Sequence, residues 1–557
     1  MRRACESEPV RLGRLHRVPS DAPTPANDHQ GVDPDELAIT LRVLASLRHL
    51  NEDHPDFVAV RQGTSHMFKA VKQERRREKR ATIAEADRAV VAATATGASD
   101  RIDDETKGLT LEASTAAATA GTLLKARACY ICKQKYSLVD AFYHQLCPDC
   151  AAMSHAKREA HTDLTGKRAL LTGGRAKIGM HIALRLLRDG AHTTITTRFP
   201  RDAVRRFAEM EDAGDWLHRL NVVGIDLRDP AQVVALADAV AAEGPLDILI
   251  NNAAQTVRRS PGAYAPLADA ESVPLDPDLW PEGRGPTVLT FGHTRDLHPH
   301  ALEESVKAHP LLATAALAPY APTVSVRRTD SEAARHNART ITTMALAPGS
   351  SSLAKLADGT AIDAGGLLPD LHDSNSWVQA VGEVDALEML EVQLCNETAP
   401  FILISKLRGR LAEAARAASR GGEARGDETR GGEARGDEAR GRAFVVNVSA
   451  MEGVFGRGYK GPGHPHTNMA KAAVNMLTRT SAREMFETDH ILMTSVDTGW
   501  ITDERPHPTK VRLAEEGFHA PLDLVDGAAR VYDPIVRGQA GDDLFGVFLK
   551  DYAPSGW

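Results

Sequence analysis

GKRALLTGGRAKIGMHIALRLLRDGA, residues 166–191, combines a short apolar run, a turn that contains glycine and an amphipathic segment. The run Ala169–Leu171 is typical of a buried strand. After the turn, Ile178, Ile182 and Leu186 recur at the spacing of one helix face. The stretch therefore predicts a strand, a tight turn and a helix, the unit that binds a pyrophosphate at a helix N-terminus.

Further strand-like and helix-like segments follow this unit along the chain. They are HTTITTR (192–198), VVGIDLRD (222–229), LDILINNAAQT (246–256), LCNETAPFIL (394–403), AFVVNVSAM (443–451) and SVDTGWITD (495–503). In the order and content of these segments the sequence resembles the short-chain dehydrogenase/reductase superfamily, from about residue 162 to residue 557. The resemblance implies an α/β fold with a doubly wound, mostly parallel Rossmann sheet.

The glycine turn of that family has the pattern TGxxxGxG. Thr172, Gly173 and Gly179 match it, whereas Lys177 occupies the position of the middle glycine. A side chain there prevents the closest approach of the backbone to the phosphates, although the lysine charge could compensate. The resemblance assigns cofactor binding to Gly173, Arg175, Lys177, Ile178, Gly179, Arg198, Asp226, Leu227, Asn252, Ala253, Lys471, Gly499 and Ile501.

Basic residues follow the second predicted strand. Arg198 ends this strand and Arg201 comes shortly after it, where an NAD-selective protein carries Asp or Glu for the ribose hydroxyls. Positive charge at this place suits a 2′-phosphate. NADP(H) is therefore favoured over NAD(H) as the cofactor.

The sequence departs from the family at the residues that transfer a proton. HPHTNMAKAA, residues 464–473, keeps the family's Lys as Lys471, but Thr467 occupies the position of the catalytic Tyr. A threonine hydroxyl is a much weaker acid than a phenol and is too short to reach the same point. The family's Ser position falls at Ala450, and Ser449 lies one residue earlier, where strand alternation would turn it away.

Two kinds of replacement for the missing phenol are present in the sequence. Tyr459 lies in a glycine-rich loop before the Lys471 helix, and His464 and His466 lie at the start of that helix. An imidazole titrates near neutral pH, although each of these residues also fits a surface or packing role. With Asn396, to which the resemblance gives a structural and proton-relay role, the candidate catalytic residues are Lys471, Asn396, Ser449, Tyr459 and His466.

Four of the six cysteines lie in ACYICKQKYSLVDAFYHQLCPDC, residues 128–150. Cys129, Cys132, Cys147 and Cys150 form two CxxC pairs, a pattern typical of a closed tetrahedral zinc site. The separation of the pairs is slightly shorter than in most zinc ribbons, and a redox pair is the alternative. We predict a structural zinc, and we expect Cys132→Ser to lower the zinc content while the Rossmann domain stays folded. The isolated Cys5 and Cys395 receive no role.

Composition divides the chain into four regions. Residues 1–32 lack apolar periodicity and are predicted to be disordered. Residues 33–110 are predicted to be helical, residues 111–160 to form the zinc-binding module, and residues 161–557 to form the Rossmann domain, with ATATGASD as the linker into the zinc module. A basic helical segment, Lys69–Arg80, fits a solvated helix face better than a site for RNA or an acidic partner.

Two insertions interrupt the predicted Rossmann domain. The first, at about 258–375, leaves from the strand ends where doubly wound sheets bind ligands, so we expect it to cap the pocket. A disordered excursion is the alternative for this insertion. The second, at about 413–442, contains GGEARGDETR (421–430) followed by GGEARGDEAR (431–440), and its lack of large apolar residues predicts a solvent-exposed loop.

Bulk composition narrows the class of protein. The chain has 557 residues, 42% of them hydrophobic and 25% charged, which is typical of a soluble globular protein. Its formal net charge of −8 gives no general attraction to nucleic acid or to an acidic membrane surface. No apolar run approaches the roughly 20 residues that span a bilayer, so a cytoplasmic protein without membrane contact is expected.

Two functions fit these observations. The first is an NADP(H)-dependent oxidoreductase of the short-chain type, acting on a carbonyl or alcohol substrate whose structure the sequence does not reveal. The second is a catalytically reduced NADP(H)-binding scaffold or sensor that engages a protein or RNA partner. The resemblance also implies a homo-oligomer that pairs through the helices carrying Asn396 and Lys471.

Overall fold

The structure is a computed structural model of the chain. It describes residues 31–98, 101, 118–259, 261–276, 280, 283–291, 367, 373–423, 441–501 and 504–557. The predictions for residues 1–30 and for the middle of the first insertion, residues 292–366, lie outside the described residues. The chain divides into two compact units, residues 1–82 and residues 83–557.

Two long helices are described in the N-terminal region. α1 spans Pro34–Ser46, and the Asp33 carboxylate caps it by accepting hydrogen bonds from the backbone N–H groups of Asp35 and Glu36. α2 spans Pro55–Ala92 and contains the basic segment Lys69–Arg80. Its basic residues at 69–80 are exposed to solvent, as expected for a solvated helix face.

The four cysteines lie in a small module, residues 118–158, which we call the cysteine module. Its elements are β1 (Thr119–Ala128), β2 (Lys135–Asp140) and α3 (Pro148–Arg158), with β1 and β2 paired as an antiparallel hairpin. Residues 93–98, the described part of the predicted linker, are instead half-buried or buried. The backbone N–H groups of Ala95 and Thr96 donate to the carbonyls of Ala141 and Phe142 at 3.2 and 2.9 Å.

A nine-stranded sheet, counted among the described residues, forms the centre of the second unit. Its strands are β3 (Arg168–Leu171), β4 (His192–Thr197), β5 (Leu220–Gly224), β6 (Ile248–Asn251), β7 (Thr287–Thr290), β8 (Ala443–Ser449), β9 (Ile491–Asp497), β10 (Phe548–Lys550) and β11 (Ala553–Ser555). Their spatial order is β11-β10-β9-β8-β6-β3-β4-β5-β7, and every neighbouring pair is parallel except β10 and β11. The predicted doubly wound, mostly parallel sheet is therefore confirmed.

Helices cover both faces of this sheet. Those described are α4 (Lys177–Arg188), α5 (Pro200–Ala208), α6 (Ala213–Trp216), α7 (Pro230–Ala242), α8 (Ala265–Ser272), α9 (Ala386–Gln393), α10 (Ala399–Glu423), α11 (Pro465–Asp489), α12 (His507–Glu515) and α13 (Leu524–Gln539). On one face Ile182 of α4 and Ile535 of α13 join Ile248 in a buried core. On the other face Leu236 of α7 lies in a core with Leu249. Ile248 and Leu249 are consecutive on β6, so strand alternation divides the apolar side chains between the two cores.

The first insertion contributes structure at both of its ends. β7 extends the sheet by pairing in parallel with β5, and α8 packs against α5. At the other end, residues 373–385 lead back into α9. In the second insertion α10 continues to Glu423, so the first three residues of the tandem decapeptide are helical, while residues 424–440 lie outside the described residues.

None of the described helices is long and apolar enough to cross a membrane.

Candidate cofactor and active site

The glycine turn between β3 and α4 packs tightly, as its sequence predicts. Gly173 has a φ of 71°, a conformation that favours glycine. A Cβ atom on Gly179 would lie 1.9 Å from the carbonyl oxygen of Gly173, so no side chain fits there. No side chain caps the N-terminus of α4. This is the arrangement that binds a pyrophosphate in Rossmann units.

Lys177 adopts a left-handed backbone conformation, with a φ of 54°. This conformation costs about 1–2 kcal/mol for a residue with a Cβ atom, which explains why the family has glycine at this position. A cleft opens beside the glycine turn, and Lys177 lines it together with Arg175 and Arg198. The strained backbone therefore carries a positive charge at the place where a glycine would allow closer backbone approach.

Two aromatic rings hold Arg198 at the end of β4. Its guanidinium carbon lies 4.8 Å from the centre of the Tyr264 ring and 5.8 Å from that of Phe199, and Nη2 donates to the Tyr264 hydroxyl at 3.2 Å. Burial raises the pKa of Tyr264, but the neighbouring Arg198 outweighs it and holds the pKa below its usual value. Tyr264 comes from the first insertion and was not among the predicted site residues.

Arg201 does not line the cleft, contrary to its predicted role beside the second strand. Its guanidinium donates to the carbonyl oxygens of Glu271 and Ser272 at 2.8 and 3.4 Å, because α8 packs against it. Arg175 lines the cleft instead, with its guanidinium paired to the carboxylate of Asp202. Only the local packing of the inserted helix decides between these two arginines.

Asp226 and Leu227 line the cleft after β5, as predicted. Arg228 fixes the carboxylate of Asp226, with Nε donating at 3.0 Å and Nη2 at 2.6 Å, while its Nη1 donates to Glu391 at 3.1 Å. Burial raises the pKa of Asp226, but the Arg228 guanidinium outweighs it and lowers the pKa overall. Asp226 is therefore an ionised acceptor in a fixed orientation.

Asn252 and Ala253 connect the end of β6 to the glycine turn. The Asn252 side chain donates to the carbonyl oxygens of Thr172 and Gly173, both at 3.1 Å. The Thr172 hydroxyl accepts from the backbone N–H groups of Asn252 and Ala253, both at 3.0 Å. These bonds hold the turn in its ligand-binding shape.

Asn396 lies in a π-helical turn, Leu394–Thr398, between α9 and α10. Its Oδ1 accepts from the backbone N–H of Gln255 at 2.7 Å, and its Nδ2 donates to the Gln255 carbonyl at 2.8 Å. Such turns are frequent at functional sites. Asn396 thus makes a structural contact of the kind the resemblance implies, while its proton-relay role stays a prediction.

Lys471 extends from α11 to the end of β8. Its Nζ donates to the carbonyl oxygen of Val448 at 2.8 Å. Burial lowers the pKa of Lys471 to about 8, and the carboxylates of Glu452 and Asp497 act in the opposite direction. The charge of this lysine therefore changes within an experimentally accessible pH range.

Thr467 and His466 are both buried in the first turn of α11. The Thr467 hydroxyl lies 3.5 Å from His466 Nε2, and His466 Nδ1 has no hydrogen-bond partner within the described part of the chain. Burial lowers the pKa of His466, and Glu388 only partly opposes this effect. An imidazole that is neutral near pH 7 therefore lies beside the position of the missing phenol.

Ser449 is the last residue of β8. It alternates in phase with Asn447, whose Nδ2 donates to the Thr478 hydroxyl of α11 at 2.9 Å. The Ser449 hydroxyl is buried and has no hydrogen-bond partner among the residues described. By strand alternation Ser449 shares the α11 side of the sheet with Asn447, whereas the sequence analysis expected it to turn away, and its catalytic role stays a prediction.

Tyr459 and His464 do not reach the same place. Tyr459 is 77% exposed on the loop before α11. The His464 ring stacks on Trp377, with the ring centres 4.0 Å apart, and its Nδ1 lies 2.8 Å from the Trp377 carbonyl oxygen. Trp377 belongs to the returning end of the first insertion, which therefore forms a wall beside the N-terminus of α11.

Two titratable residues of this region were not predicted. Asp497 ends β9 as the register partner of Ser449, and burial, with Asp551 nearby, raises its pKa to about 6. Cys395 lines the cleft, and burial raises its pKa to about 11, so the thiol stays neutral. The only sequence signal for Asp497 was a carboxylate at the end of a predicted strand.

Residues 498–501, which we call the β9 loop, bring two predicted cofactor residues into the core. Gly499 has a φ of 80°, and a Cβ atom there would lie 2.6 Å from Leu522 Cδ1. A Cβ atom on Gly527 would lie 2.2 Å from Ile501 Cδ1 and 3.2 Å from Ile178 Cδ1. The β9 loop and the first turn of α4 therefore meet over the start of α13.

The four cysteine side chains of the cysteine module converge on one point. The sulfur atoms of Cys129, Cys132, Cys147 and Cys150 all lie within 4.8 Å of one another, and none of these cysteines forms a disulfide. The sulfur atoms of Cys132 and Cys147 are 3.6 Å apart. Four thiolates bound to one tetrahedral zinc ion lie about 3.8 Å apart, so the cluster has dimensions that suit such an ion.

Comparisons with known proteins found matches to parts of this chain. Residues 167–272 match the short chain dehydrogenase family. An uncharacterized protein of Acanthamoeba polyphaga mimivirus is 26% identical over 432 residues, which are 73% of this chain and 71% of that protein. A probable oxidoreductase of Streptomyces antibioticus is 42% identical over 91 residues, which are 16% of this chain and 30% of that protein.

A short chain dehydrogenase from Burkholderia cenocepacia, solved in complex with NADP, is 17% identical to this chain. The alignment covers 70% of this chain and 97% of that one, with a TM-score of 0.37, so the fold assignment depends on the strand order described above. The family match and this strand order support membership in the short-chain dehydrogenase/reductase superfamily. The match and the oxidoreductase of Streptomyces also support an oxidoreductase.

Proposed function

We propose that the Rossmann unit is an NADP(H)-dependent oxidoreductase of the short-chain type that acts on a carbonyl or alcohol group. The observation that carries this proposal is Arg198, a cation at the end of β4, where an NAD-selective protein has a carboxylate. Arg175 and Lys177 line the same cleft and add positive charge for a 2′-phosphate.

The remaining cleft residues suit the other parts of the cofactor. The glycine turn and the N-terminus of α4 would hold the pyrophosphate, and Asp226 would accept from the adenine edge. Lys471 would bind the ribose of the nicotinamide, and the β9 loop would hold the nicotinamide ring. Bound NADP(H) would supply or accept the hydride. The chain itself would orient the substrate and move a proton.

His466 is the residue to which we assign the proton transfer. It is buried, its Nδ1 lacks a partner among the described residues, and it adjoins Thr467 at the position of the family's Tyr. A neutral imidazole accepts a proton from an alcohol, so oxidation of an alcohol is favoured above the pKa of His466 and reduction of a carbonyl below it.

The function is tested by cofactor titration and turnover in the full chain. NADPH and NADH are titrated by fluorescence at one salt concentration, and NADPH consumption is followed with a panel of carbonyl compounds. Tight NADPH binding with consumption of one of these compounds supports the proposal. A protein that binds neither cofactor would contradict it.

A catalytically reduced NADP(H)-binding protein is the second candidate function, and the observation that favours it is Thr467. A threonine hydroxyl cannot replace a phenol as the acid near neutral pH. In that case NADPH binds, Lys471→Met lowers its affinity, and no carbonyl compound of the panel is consumed.

Two further properties belong to the proposal. A structural zinc bound by Cys129, Cys132, Cys147 and Cys150 is supported by their convergence, and metal analysis of freshly purified reduced protein tests it. A homo-oligomer paired through α10 and α11 is supported by Phe401 of α10, whose side chain is 57% exposed. The molar mass of the protein in solution tests it.

A further inference from the structure

The cysteine module contacts the β9 loop through a tyrosine that lies within a CxxC pair. Tyr130 stands between Cys129 and Cys132, and its hydroxyl accepts a hydrogen bond from the backbone N–H of Trp500 at 3.0 Å. Trp500 lies between Gly499 and Ile501 in the β9 loop. The module therefore contacts the backbone of the loop to which we assign the nicotinamide.

An apolar core continues this contact below the surface. Cys129, Cys147 and Cys150 share one buried cluster with Ile501 of the β9 loop, and Ile178 packs against the same cluster. Ile178 lies in the first turn of α4 and lines the cleft. The core that surrounds the cysteines therefore joins Ile178, which lines the cleft, to the β9 loop, to which we assign the nicotinamide.

Buried polar contacts fix the module in this place. The Tyr143 hydroxyl donates to the Asp526 carboxylate at 2.6 Å, and Arg158 Nη1 donates to Asp523 at 2.6 Å. Asp523 and Asp526 form the capping box at the N-terminus of α13. Separating the two surfaces would leave buried charges without partners, which is strongly destabilising.

We propose that Tyr130 is a positioning residue through which the metal-loaded cysteine module holds the β9 loop in the shape that binds NADP(H). The inference rests on the proposed function, because it concerns the same cofactor site. Loss of the metal releases the CxxC turn that carries Tyr130, and the Trp500 N–H then loses its fixed acceptor. Metal binding and cofactor binding thus strengthen each other, and linkage requires the same factor in both directions.

Tyr130 acts in this proposal only as a hydrogen-bond acceptor that is fixed in space. It is distinct from the proton-transfer group that we assign to His466.

The test compares Tyr130→Phe with the matched control Tyr136→Phe in the full chain. Tyr136 is buried in the same module, but its hydroxyl donates to the His144 carbonyl at 2.8 Å and not to the β9 loop. NADPH affinity is measured by fluorescence titration. Zinc release to a chromogenic chelator is timed with and without saturating NADPH.

We expect Tyr130→Phe to weaken NADPH binding roughly threefold to tenfold, as for the loss of one hydrogen bond. NADPH should slow zinc release from the parent protein and from Tyr136→Phe, and much less from Tyr130→Phe. This loss of coupling distinguishes positioning from a merely structural role, which would leave the effect of NADPH on zinc release intact.

The inference would be overturned if the parent and Tyr130→Phe bind NADPH equally well and NADPH does not slow zinc release. The proposed function would then stay in place. A parent protein that binds no NADPH would overturn both. If Tyr130→Phe does not fold, Tyr130→His replaces it in the same two measurements, and zinc release from the parent that NADPH does not slow would still overturn the inference.

Discussion

Arg198 and Lys471 are the two cations on which the cofactor assignment depends, and the protein holds them differently. Arg198 is stacked against Tyr264 and Phe199, and a guanidinium stays charged at any accessible pH. Lys471 is buried, and its pKa of about 8 lets its charge disappear in mild alkali. The two residues therefore give independent tests.

Arg198→Asp should weaken NADPH binding roughly tenfold to a hundredfold, because a charge-assisted hydrogen bond is lost. The affinity for NADH should change little, so the difference between the affinities for NADPH and NADH becomes smaller. Arg201→Gln is the matched control, since its guanidinium binds carbonyl oxygens of Glu271 and Ser272 outside the cleft. Fluorescence titration at fixed salt measures both, and equal affinities for NADPH and NADH in the parent would refute the assignment.

NADPH binding should weaken as the pH rises through about 8. The folded-state pKa of Lys471 lies below its usual value, so the side chain is charged below pH 8 and neutral above it. The charged form attracts the anionic cofactor. Titrations on both sides of pH 8 should show this decline of NADPH affinity in the parent protein. Below pH 8 Lys471→Met should bind NADPH more weakly than the parent does, and its affinity should not decline as the pH rises. An equal decline in both proteins would assign it to another group.

If a substrate is turned over, Thr467→Val should keep a substantial rate, whereas His466→Gln should lose about a hundredfold or more in kcat. The reason is that the neutral imidazole can accept a proton, whereas a threonine hydroxyl is too weak an acid to exchange one near neutral pH. His464→Gln is the control, because His464 stacks on Trp377 instead. A Thr467→Val variant as inactive as Lys471→Met, with unchanged cofactor affinity, would reverse this assignment.

The two ends of the first insertion contact different parts of the Rossmann unit. α8 and the turn before it bring Tyr264 to Arg198, at the end where a 2′-phosphate would bind. The returning segment brings Trp377 against His464, beside Thr467 and His466. The insertion therefore contributes Tyr264 to the cleft, and the segment that follows it packs beside the N-terminus of α11.

The cysteine module is joined to the sheet more closely than its sequence suggests. Cys132→Ser should lower the zinc content and also lower the Tm of the Rossmann unit, because the other three cysteines share a core with Ile501 and Ile178. From the sequence we expected only that the Rossmann domain stays folded in this variant, and the shared core adds a loss of thermal stability to that expectation. Metal analysis and thermal unfolding measure the two effects.

The control for this variant is parent protein from which zinc is removed with a chelator and then restored. Its Tm should fall and recover. An unchanged Tm after complete removal of zinc would show that the module is thermally independent of the sheet.

For the molecule as a whole, residues 83–557 form one compact unit that includes the module, the sheet and the cleft. NADPH at about a hundred times its Kd should stabilise this unit by about 2.7 kcal/mol. All five tryptophans lie in this unit, so their fluorescence reports its unfolding without a contribution from the first 82 residues. Saturating NADPH should raise the Tm more than NADH at the same concentration, and equal shifts would contradict the cofactor preference.

The parts of the site that could be predicted depend on short-range patterns. Gly173 and Gly179 were predicted because the strand, turn and helix adjoin one another in the chain. The spacing of Cys129 and Cys132 constrains two thiolates to one turn. Asp226 and Asn252 follow directly from strand ends at the carboxyl edge of the sheet.

By itself, the sequence determined the order of strands and helices, the glycine turn, the paired cysteines and the absence of a tyrosine at Thr467, because each is a pattern over a few adjacent residues. Tertiary structure alone decided that Tyr264 covers Arg198, that α8 holds Arg201 away from the cleft, and that Tyr130 reaches Trp500. These contacts join residues far apart in the chain, and they form only because packing two apolar cores brings the insertions and the cysteine module onto one edge of the sheet.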